Sequence, residues 1–555
     1  MTSPLTILPL GGLGEIGMNG LLVGWRGKRW LIDCGIMFPN DAEASTELVL
    51  PDLEFIRRIA PELAGIVLTH GHEDHIGAVA PVLNVKAMPV YGSPFTLGLV
   101  KRKLAERGYT GRVDFRDLQP STGTVRPPET PELTFRFLRV THSLPDCASL
   151  VIGTPHGNVL HTGDFKIDAE PMDGEHFDRA GFQALGDQGV LLLLSDSTNA
   201  QVPGRTRSER AVVETLRERV GAWPGRVLIS LFASNLHRLR GLAEIAKTTN
   251  RRLVVAGRSF HSYLATARDA GIPSLDPSQY TAIDDLQDAS GDDLLVAVTG
   301  SQGEPRGALW RAATGEHPSL RIGPRDLVML SSRIIPGNER GIFEMVNHLS
   351  RRGATVVQPF AAPIHTSGHA RQDELREMLA LVRPKCFVPV HGEYAFLVDH
   401  AKLGREAGIK HIRVIENGDE VGIDPTDGIL PLRNVPLTTF YLDGTITGDA
   451  ETVGLPQRQK LHHNGLVAAH VRLKRSTQRV RATVELQSRG IFTEDGKLLD
   501  SAADELADTL GARRPAPTDA DVEDIAYEVV RRVFRRATGK KPTVVTFVVT
   551  EPGAV

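Results

Sequence analysis

Residues His70 to His75, reading His-Gly-His-Glu-Asp-His, place three histidines and an aspartate within six positions. Imidazoles and a carboxylate at that density suit zinc, and also manganese or iron, better than magnesium or calcium. The group follows the apolar run Ala64 to Leu68, which has the length and bareness of a buried strand. In extended chain His70 and His72 point to one side, because side chains alternate with a period of two. A turn into a helix after His72 then aims Asp74 and His75 at a neighbouring point, so two adjacent ions can be served.

Four ligands in six residues cannot complete two coordination spheres, so further His and Asp residues are required at other strand ends. They are present: His142 in Arg-Val-Thr-His-Ser, Asp164 in Val-Leu-His-Thr-Gly-Asp-Phe and His391 in Phe-Val-Pro-Val-His-Gly-Glu each follow an apolar stretch. A carboxylate such as Asp164 can bridge two ions. Isolated histidines such as His317 and His400 read as ordinary surface residues.

The elements that must position these groups alternate along the chain. From Leu5 to Leu31 short apolar strands separated by glycines predict a β-meander. Within it, Gly-Leu-Gly-Glu-Ile-Gly, Gly12 to Gly17, matches a dinucleotide-binding pattern, with Asp33 downstream as a ribose ligand. That reading fails, because the glycines are followed by strand, turn and strand, where a helix N-terminus would be needed to hold a pyrophosphate. Strands and helices then alternate, several strands ending in polar triplets, which predicts a layered α/β sandwich whose loops converge on a site. Between residues 208 and 352 regular strand and helix pairs indicate a parallel sheet with crossover helices, inserted into the first domain. The expected organisation is therefore a first domain in two parts, 1–207 and 353–440, an inserted domain 208–352, an irregular linker 441–464, and a small α/β C-terminal domain 465–555.

Composition agrees with an ordinary globular protein: 41% hydrophobic, 24% charged and 5% aromatic residues over 555 positions, enough for about two to four domains. No apolar run is long enough for a membrane span, and the start lacks a basic and apolar leader, so a cytoplasmic protein with no membrane partner is expected. Cys34, Cys147 and Cys386 are far apart, which argues against a disulfide framework or a cysteine-rich zinc cluster. The net charge of −3 does not advertise a polyanion-binding surface, although a local basic groove can hide inside the sum.

Asp33 in Leu-Ile-Asp-Cys-Gly, the quartet His70, His72, Asp74 and His75, then His142 and Asp164, follow the order of the motifs of the metallo-β-lactamase superfamily, which the chain resembles. The resemblance implies an αββα sandwich holding two divalent ions, zinc first and manganese as the alternative. His70, His72 and His142 would hold one ion, Asp74, His75 and His391 the other, with Asp164 between them and Asp33 orienting ligands from behind. Asp196 in Leu-Leu-Leu-Ser-Asp-Ser-Thr-Asn-Ala, His369 in Thr-Ser-Gly-His-Ala and His391 look like the three further motifs of the β-CASP nucleases, whose extra domain is inserted into the sandwich. With Gly-Gly-Leu-Gly-Glu-Ile-Gly-Met-Asn-Gly near the start and a small C-terminal domain, the chain is similar to the ribonuclease J family along essentially its whole length. Histidine at position 391, where the DNA-processing branch carries valine, favours RNA.

The resemblance implies a metal-dependent ribonuclease acting 5′ to 3′ on single-stranded RNA, favouring a 5′-monophosphate and also cutting internally, in RNA maturation and decay. Asp74, His369 and Asp196 are then the catalytic candidates, His369 meeting the scissile phosphate and helping to protonate the leaving oxygen while Asp196 orients it. A terminal-phosphate pocket needs backbone N–H groups and hydroxyls in a tight turn. Ser367 and Gly368 beside His369, Ser234 and Asn235 near a helix start, and Ser332 with Arg333 are the candidates, and Phe232 offers a stacking surface for a base. The C-terminal domain would support a homodimer. Its basic helix around Arg531 to Lys541 reads as a solvated face before it reads as an RNA contact. A lactamase-fold hydrolase of small esters would have no use for the insert, His369 or Asp196, and a silent RNA-binding subunit would not need every ligand.

Overall fold

The computed structural model describes residues 5–40, 43, 45–286, 289–335, 337–475, 480–493 and 496–551. It divides into two compact units, one of Met1–Phe38 with Leu48–Phe440 and one of Pro39–Glu47 with Tyr441–Val555.

In the larger unit the predicted meander is present: Leu5–Gly11, Gly20–Trp25 and Lys28–Ile32 pair antiparallel. The glycines of the rejected dinucleotide pattern, Gly12, Gly14 and Gly17, all take positive φ in the turn between the first two strands, and no helix follows them. Lys28–Ile32 continues in parallel with Leu63–Val67, Val90–Gly92 and Phe115–Asp117, while Asp419–Asp424 and Gly428–Asn434 close the other edge, giving eight strands. A second sheet of six strands contains Thr134–Arg139, Ala148–Thr154, Gly157–His161, Val190–Asp196 and Cys386–Val390. Their inner faces share one core in which Trp30, Phe135, Leu150, Leu192, Val388 and Ile423 are buried. Trp30 meets Phe135 edge-on at 4.9 Å and donates its indole N–H to Thr130 at 3.0 Å, so its polar edge is satisfied inside the core. Helices such as Pro94–Glu106, capped by Ser93, and Gln372–Val382 complete the layers.

The inserted sheet has six strands, all parallel, in the order Thr281–Ala282, Arg252–Ala256, Leu294–Val298, Val227–Ser230, Leu327–Leu330 and Thr355–Val357. Its four central strands are runs of buried residues, apart from the exposed Arg252 at the start of one, as a sheet covered on both faces requires. The last strand corrects the sequence expectation, which assigned Ala354 to Phe360 to the returning sandwich: Thr355 pairs in parallel with Leu327, so the insert runs a few residues past 352. Two buried ion pairs stand within it, Arg226 with Asp326 at 2.7 Å and Arg238 with Glu209.

Two of the histidines read as surface residues are buried. His400 packs on Phe387 and shares a hydrogen bond of 3.0 Å with Ser197, and His317 accepts from the Leu320 N–H at 3.0 Å. His317 sits on a polar stretch that gives no sign of this, whereas His400 shares the helical spacing of the buried Leu397, Ala401 and Gly404 in Tyr394–Glu406, a signal that a lone histidine made easy to pass over. The three cysteines are buried and unbridged, as expected of small fillers.

The smaller unit packs Lys497–Ala512 and Asp519–Thr538 on one face of a sheet ordered Val480–Arg489, Leu466–Arg475, Thr543–Glu551. Residues 441–464, expected to be irregular, instead carry the hairpin Phe440–Asp443 with Ile446–Gly448 and the helix Leu455–Asn464. That helix has only Leu455 buried, so it shows no apolar stripe in sequence; its signs were Pro456 near the start and Gly465 just past the end.

Candidate active site

Six strands of the larger unit end on one point. Asp33 follows Lys28–Ile32, His70 follows Leu63–Val67, His142 follows Thr134–Arg139 and Asp164 follows Gly157–His161; Asp196 ends its own strand and His391 follows Cys386–Val390. Asp33 and His391 take φ of 58° and 55°, a left-handed conformation uncommon outside glycine and concentrated at functional sites. The chain at Gly35 runs so close to Asp74 that an added Cβ would lie 1.6 Å from its carbonyl oxygen. In return the Cys34 N–H donates to the His75 carbonyl at 2.7 Å and the Asn19 N–H to that of Asp74 at 2.8 Å, which fixes the histidine-rich turn against the meander.

The side chains form two groups that share Asp164. In the first, His72 Nδ1 lies 3.1 Å from both His70 Nε2 and His142 Nε2, with Asp164 Oδ2 at 3.6 and 3.8 Å from the latter two. In the second, His75 Nε2 is 3.4 Å from Asp164 Oδ2 and 3.6 Å from Asp74 Oδ2, and His391 Nε2 is 3.7 Å from Asp74 Oδ2. In each group one ligand atom from every residue lies within 4.8 Å of the others. Burial holds His70 and His142 well below the ordinary histidine pKa and His72 down at about 4, so all three present lone pairs. Around the second group burial also opposes the charge on His75 and His391, yet Asp164 and its fellow carboxylates outweigh it, lifting His75 well up and His391 to about 10. These carboxylates demand positive charge. Among the described residues, Asp164 Oδ1 and His391 Nε2 are also buried without a hydrogen-bond partner, as ligands to a cation would be. The donor set fits a pair of divalent ions.

The ring orientations are set from behind. Asp33 accepts from the Thr69 N–H and hydroxyl and meets His75 Nδ1, all at 2.8 Å, so the carboxylate turns Nε2 of His75 toward Asp74 and Asp164, where the Asn19 amide nitrogen also lies 3.0 Å from it. His142 is fixed in the same way by Nδ1 on the Gly368 carbonyl at 2.7 Å. His391 Nδ1 lies 2.9 Å from Thr198 Oγ1 and 3.2 Å from Asp196 Oδ1. Beside the cluster, His369 Nδ1 meets Asp196 Oδ2 at 2.8 Å, and its side chain keeps 19% exposure. That exposure leaves Nε2 able to face an incoming molecule. Asp196 is held well below the ordinary carboxylate range: burial opposes this, and His369 and His391 outweigh it.

The expected pocket residues are distributed less simply. Ser367 Oγ accepts from the His369 N–H at 3.2 Å and from Asn199 Nδ2 at 3.0 Å, and Arg333 donates to Asn199 Oδ1 at 3.2 Å, so these two gather near His369. Gly368 offers its carbonyl to His142, and a Cβ there would lie 2.4 Å from that ring. Ser332 is buried against Gln302, and Asn235 caps Leu236–Thr248 by accepting from the Arg238 N–H at 2.9 Å. Among the described residues no hydrogen bond ties the half-buried Phe232 and Ser234 to the cluster. Sequence reasoning passed over Thr198 and Asn199, although both stand in the Asp-Ser-Thr-Asn motif that contains Asp196.

Comparison with known proteins accounts for nearly the whole chain. Residues 19–201 match the metallo-beta-lactamase superfamily, 224–349 the ribonuclease J beta-CASP domain, 361–414 a Zn-dependent metallo-hydrolase RNA specificity domain and 453–551 the ribonuclease J C-terminal domain. Ribonuclease J of Sinorhizobium meliloti is 37% identical over 560 residues, covering 98% of this chain and 97% of that protein. Ribonuclease J of Mycobacterium tuberculosis is 37% identical over 545 residues, covering 97% and 94%, and ribonuclease J 1 of Streptococcus pyogenes is 33% identical, covering 98% and 97%. A crystal structure of a protein of unknown function from Enterococcus faecalis shares the fold, with a TM-score of 0.51 at 18% identity over 75% of this chain and 99% of its own.

Proposed function

The chain belongs to the ribonuclease J family and is a metal-dependent ribonuclease, and from that premise we propose that it degrades single-stranded RNA 5′ to 3′, favours a 5′-monophosphate and also cuts internally, in RNA maturation and decay. The observation that carries this reading is the pair of ligand groups joined at Asp164 with the His369–Asp196 couple at their edge. His70, His72 and His142 would hold one ion and Asp74, His75 and His391 the other, zinc by preference for the three neutral imidazoles and manganese as the alternative. Two such ions supply an acidified water and neutralise charge on the phosphate.

The protein's own part is positional and acid–base. Asp196, accepting from His369 Nδ1, sets the tautomer and steadies the imidazolium, so that His369 Nε2 carries the proton destined for the leaving oxygen. Arg333 and Ser367, both hydrogen-bonded to Asn199, would offer a guanidinium and a hydroxyl to a phosphate arriving beside His369. The substrate assigns the action to the cytoplasm, and no helix among the described residues is long and apolar enough to cross a membrane. We also infer a homodimer through the C-terminal domain, supported by Val545, Phe547 and Val549, which stand exposed on the sheet face that the helices leave open.

The test is decay of 3′-labelled single-stranded RNA bearing a 5′-monophosphate or a 5′-hydroxyl, with wild type and His72→Ala, in added Mn²⁺ or Zn²⁺. Nucleotides released from the 5′ end, faster from the monophosphate and absent in the variant, are expected. Internal fragments alone would refute the exonuclease reading, and equal decay with both proteins would refute the ligand assignment.

A further inference from the structure

His369 is held at both ends of the residue by one short segment. Its ring is met by Asp196, and its main-chain carbonyl accepts from Asn199 Nδ2 at 3.0 Å and from Thr206 Oγ1 at 2.7 Å. The same Asn199 amide donates to Ser367 Oγ at 3.0 Å. The other end of that amide, Oδ1, accepts from Arg333 of the inserted domain at 3.2 Å. Among the described residues Arg333 has no carboxylate partner. Its orientation therefore depends on a neutral acceptor, which leaves the guanidinium's charge for an anion. Asn199 itself is buried, with 5% exposure, and every polar atom of its side chain is committed to one of these three bonds.

We propose that Asn199 is a positioning residue that couples recognition of the RNA 5′ phosphate to the placement of His369. Deepening the 5′-end reading above and resting on it, the inference adds that the two tasks share one side chain. A phosphate drawing on Arg333 and Ser367 loads the amide from both sides, and the amide passes that load to the carbonyl of His369. An asparagine is suited to this because it accepts at one end and donates twice at the other in a rigid plane. Thr206 holds the same carbonyl and, among the described residues, has no hydrogen bond to Arg333 or Ser367, so it supplies a comparison in which placement is perturbed and recognition is not.

The experiment measures kcat and KM on 3′-labelled RNA with a 5′-monophosphate and with a 5′-hydroxyl, for wild type, Asn199→Ala, Asn199→Asp and Thr206→Val, with thermal melting of each. Asn199→Ala is expected to lower kcat on both RNAs by about 10- to 100-fold, as loss of a reacting group's placement does. It should also lower the monophosphate-to-hydroxyl ratio of kcat/KM by about fivefold or more, through the loosened guanidinium. Thr206→Val should lower kcat and keep the ratio. Asn199→Asp keeps the shape and serves if the alanine variant melts early: its carboxylate neutralises Arg333 and cannot donate, so the ratio again falls. A wild-type preference retained by both folded Asn199 variants overturns the coupling while leaving the 5′-end reading intact. A wild type with no preference overturns the 5′-end reading itself.

Discussion

Replacing Asp33 by Asn removes one charge and changes one atom, which makes it a sharp probe of how the second ligand group is oriented. The left-handed backbone at Asp33, φ 58°, suits Asn as well as Asp, so no backbone strain is added. The Thr69 N–H donates at 2.8 Å and cannot reverse, so the new carbonyl stays on it and the new NH2 replaces Oδ2. That NH2 faces His75 Nδ1 and Thr69 Oγ1, both at 2.8 Å from the present carboxylate. The hydroxyl can rotate to accept, but the imidazole can accept only by moving its proton to Nε2, the nitrogen aimed at Asp74 and Asp164. Losing such an orienting carboxylate costs about 10- to 100-fold in metal affinity. That is about 1.4 to 2.8 kcal/mol, at 1.4 kcal/mol per tenfold. Equilibrium competition against a chromophoric zinc chelator reads the two ions separately. We expect the ion at His70, His72 and His142 to stay and the ion at Asp74, His75 and His391 to loosen by that factor, with nuclease activity restored by excess metal. Unchanged affinity for both ions, or loss of the first ion with the second retained, would refute the orientation argument.

Gly368→Ala places a Cβ 2.4 Å from the His142 ring, so that ring must leave its position; zinc stoichiometry should fall toward one per chain while the circular dichroism spectrum is kept, and a full pair of ions would show that the loop yields instead. Arg238→Ala strands Glu209, which is 6% exposed, and should destabilise the inserted domain by about 3 to 5 kcal/mol in denaturant unfolding at pH 7. In wild type burial raises the Glu209 carboxyl and Arg238 overrides it, leaving the pKa below the ordinary value, so its stabilisation is complete above about pH 4.3 and fades as pH falls through the lowered folded value. Without Arg238, burial dominates and the folded pKa rises, so acidification from neutrality should narrow the gap between the two proteins; a constant gap would contradict the buried-charge account.

Much of this centre was legible because its chemistry is compressed. His70, His72, Asp74 and His75 are close in sequence, and strand-end positions made His142, Asp164 and His391 their natural complements. The parallel insert was legible from continuous apolar strands that only a doubly covered sheet tolerates. What escaped was whatever acts through main chain or neutral side chains. The Gly368 carbonyl on His142 has no side chain to signal it, and Asn199 and Thr206 are residues whose usual occupation is a cap or a turn. Asn235 is the opposite case, because in the structure it performs that usual occupation. The helix Leu455–Asn464 escaped because a segment burying one leucine leaves no period to read.

The order of the strands along the chain bears on how the protein is made. Asp33, the histidine-rich turn, His142, Asp164 and Asp196 all precede the insert, whereas His369 and His391 follow it. A ribosome that has extended the chain to the end of the insert has therefore translated the three-imidazole group and Asp164, but neither His369, the residue proposed to hand over the proton, nor His391, the last of the residues proposed to hold the second ion. The strand that precedes His391 also lies next to Val190–Asp196 inside its sheet, so that sheet is complete only after this strand has been made. The full set of side chains proposed to cut RNA therefore exists only once the inserted domain has been translated and the chain has returned to the first sheet.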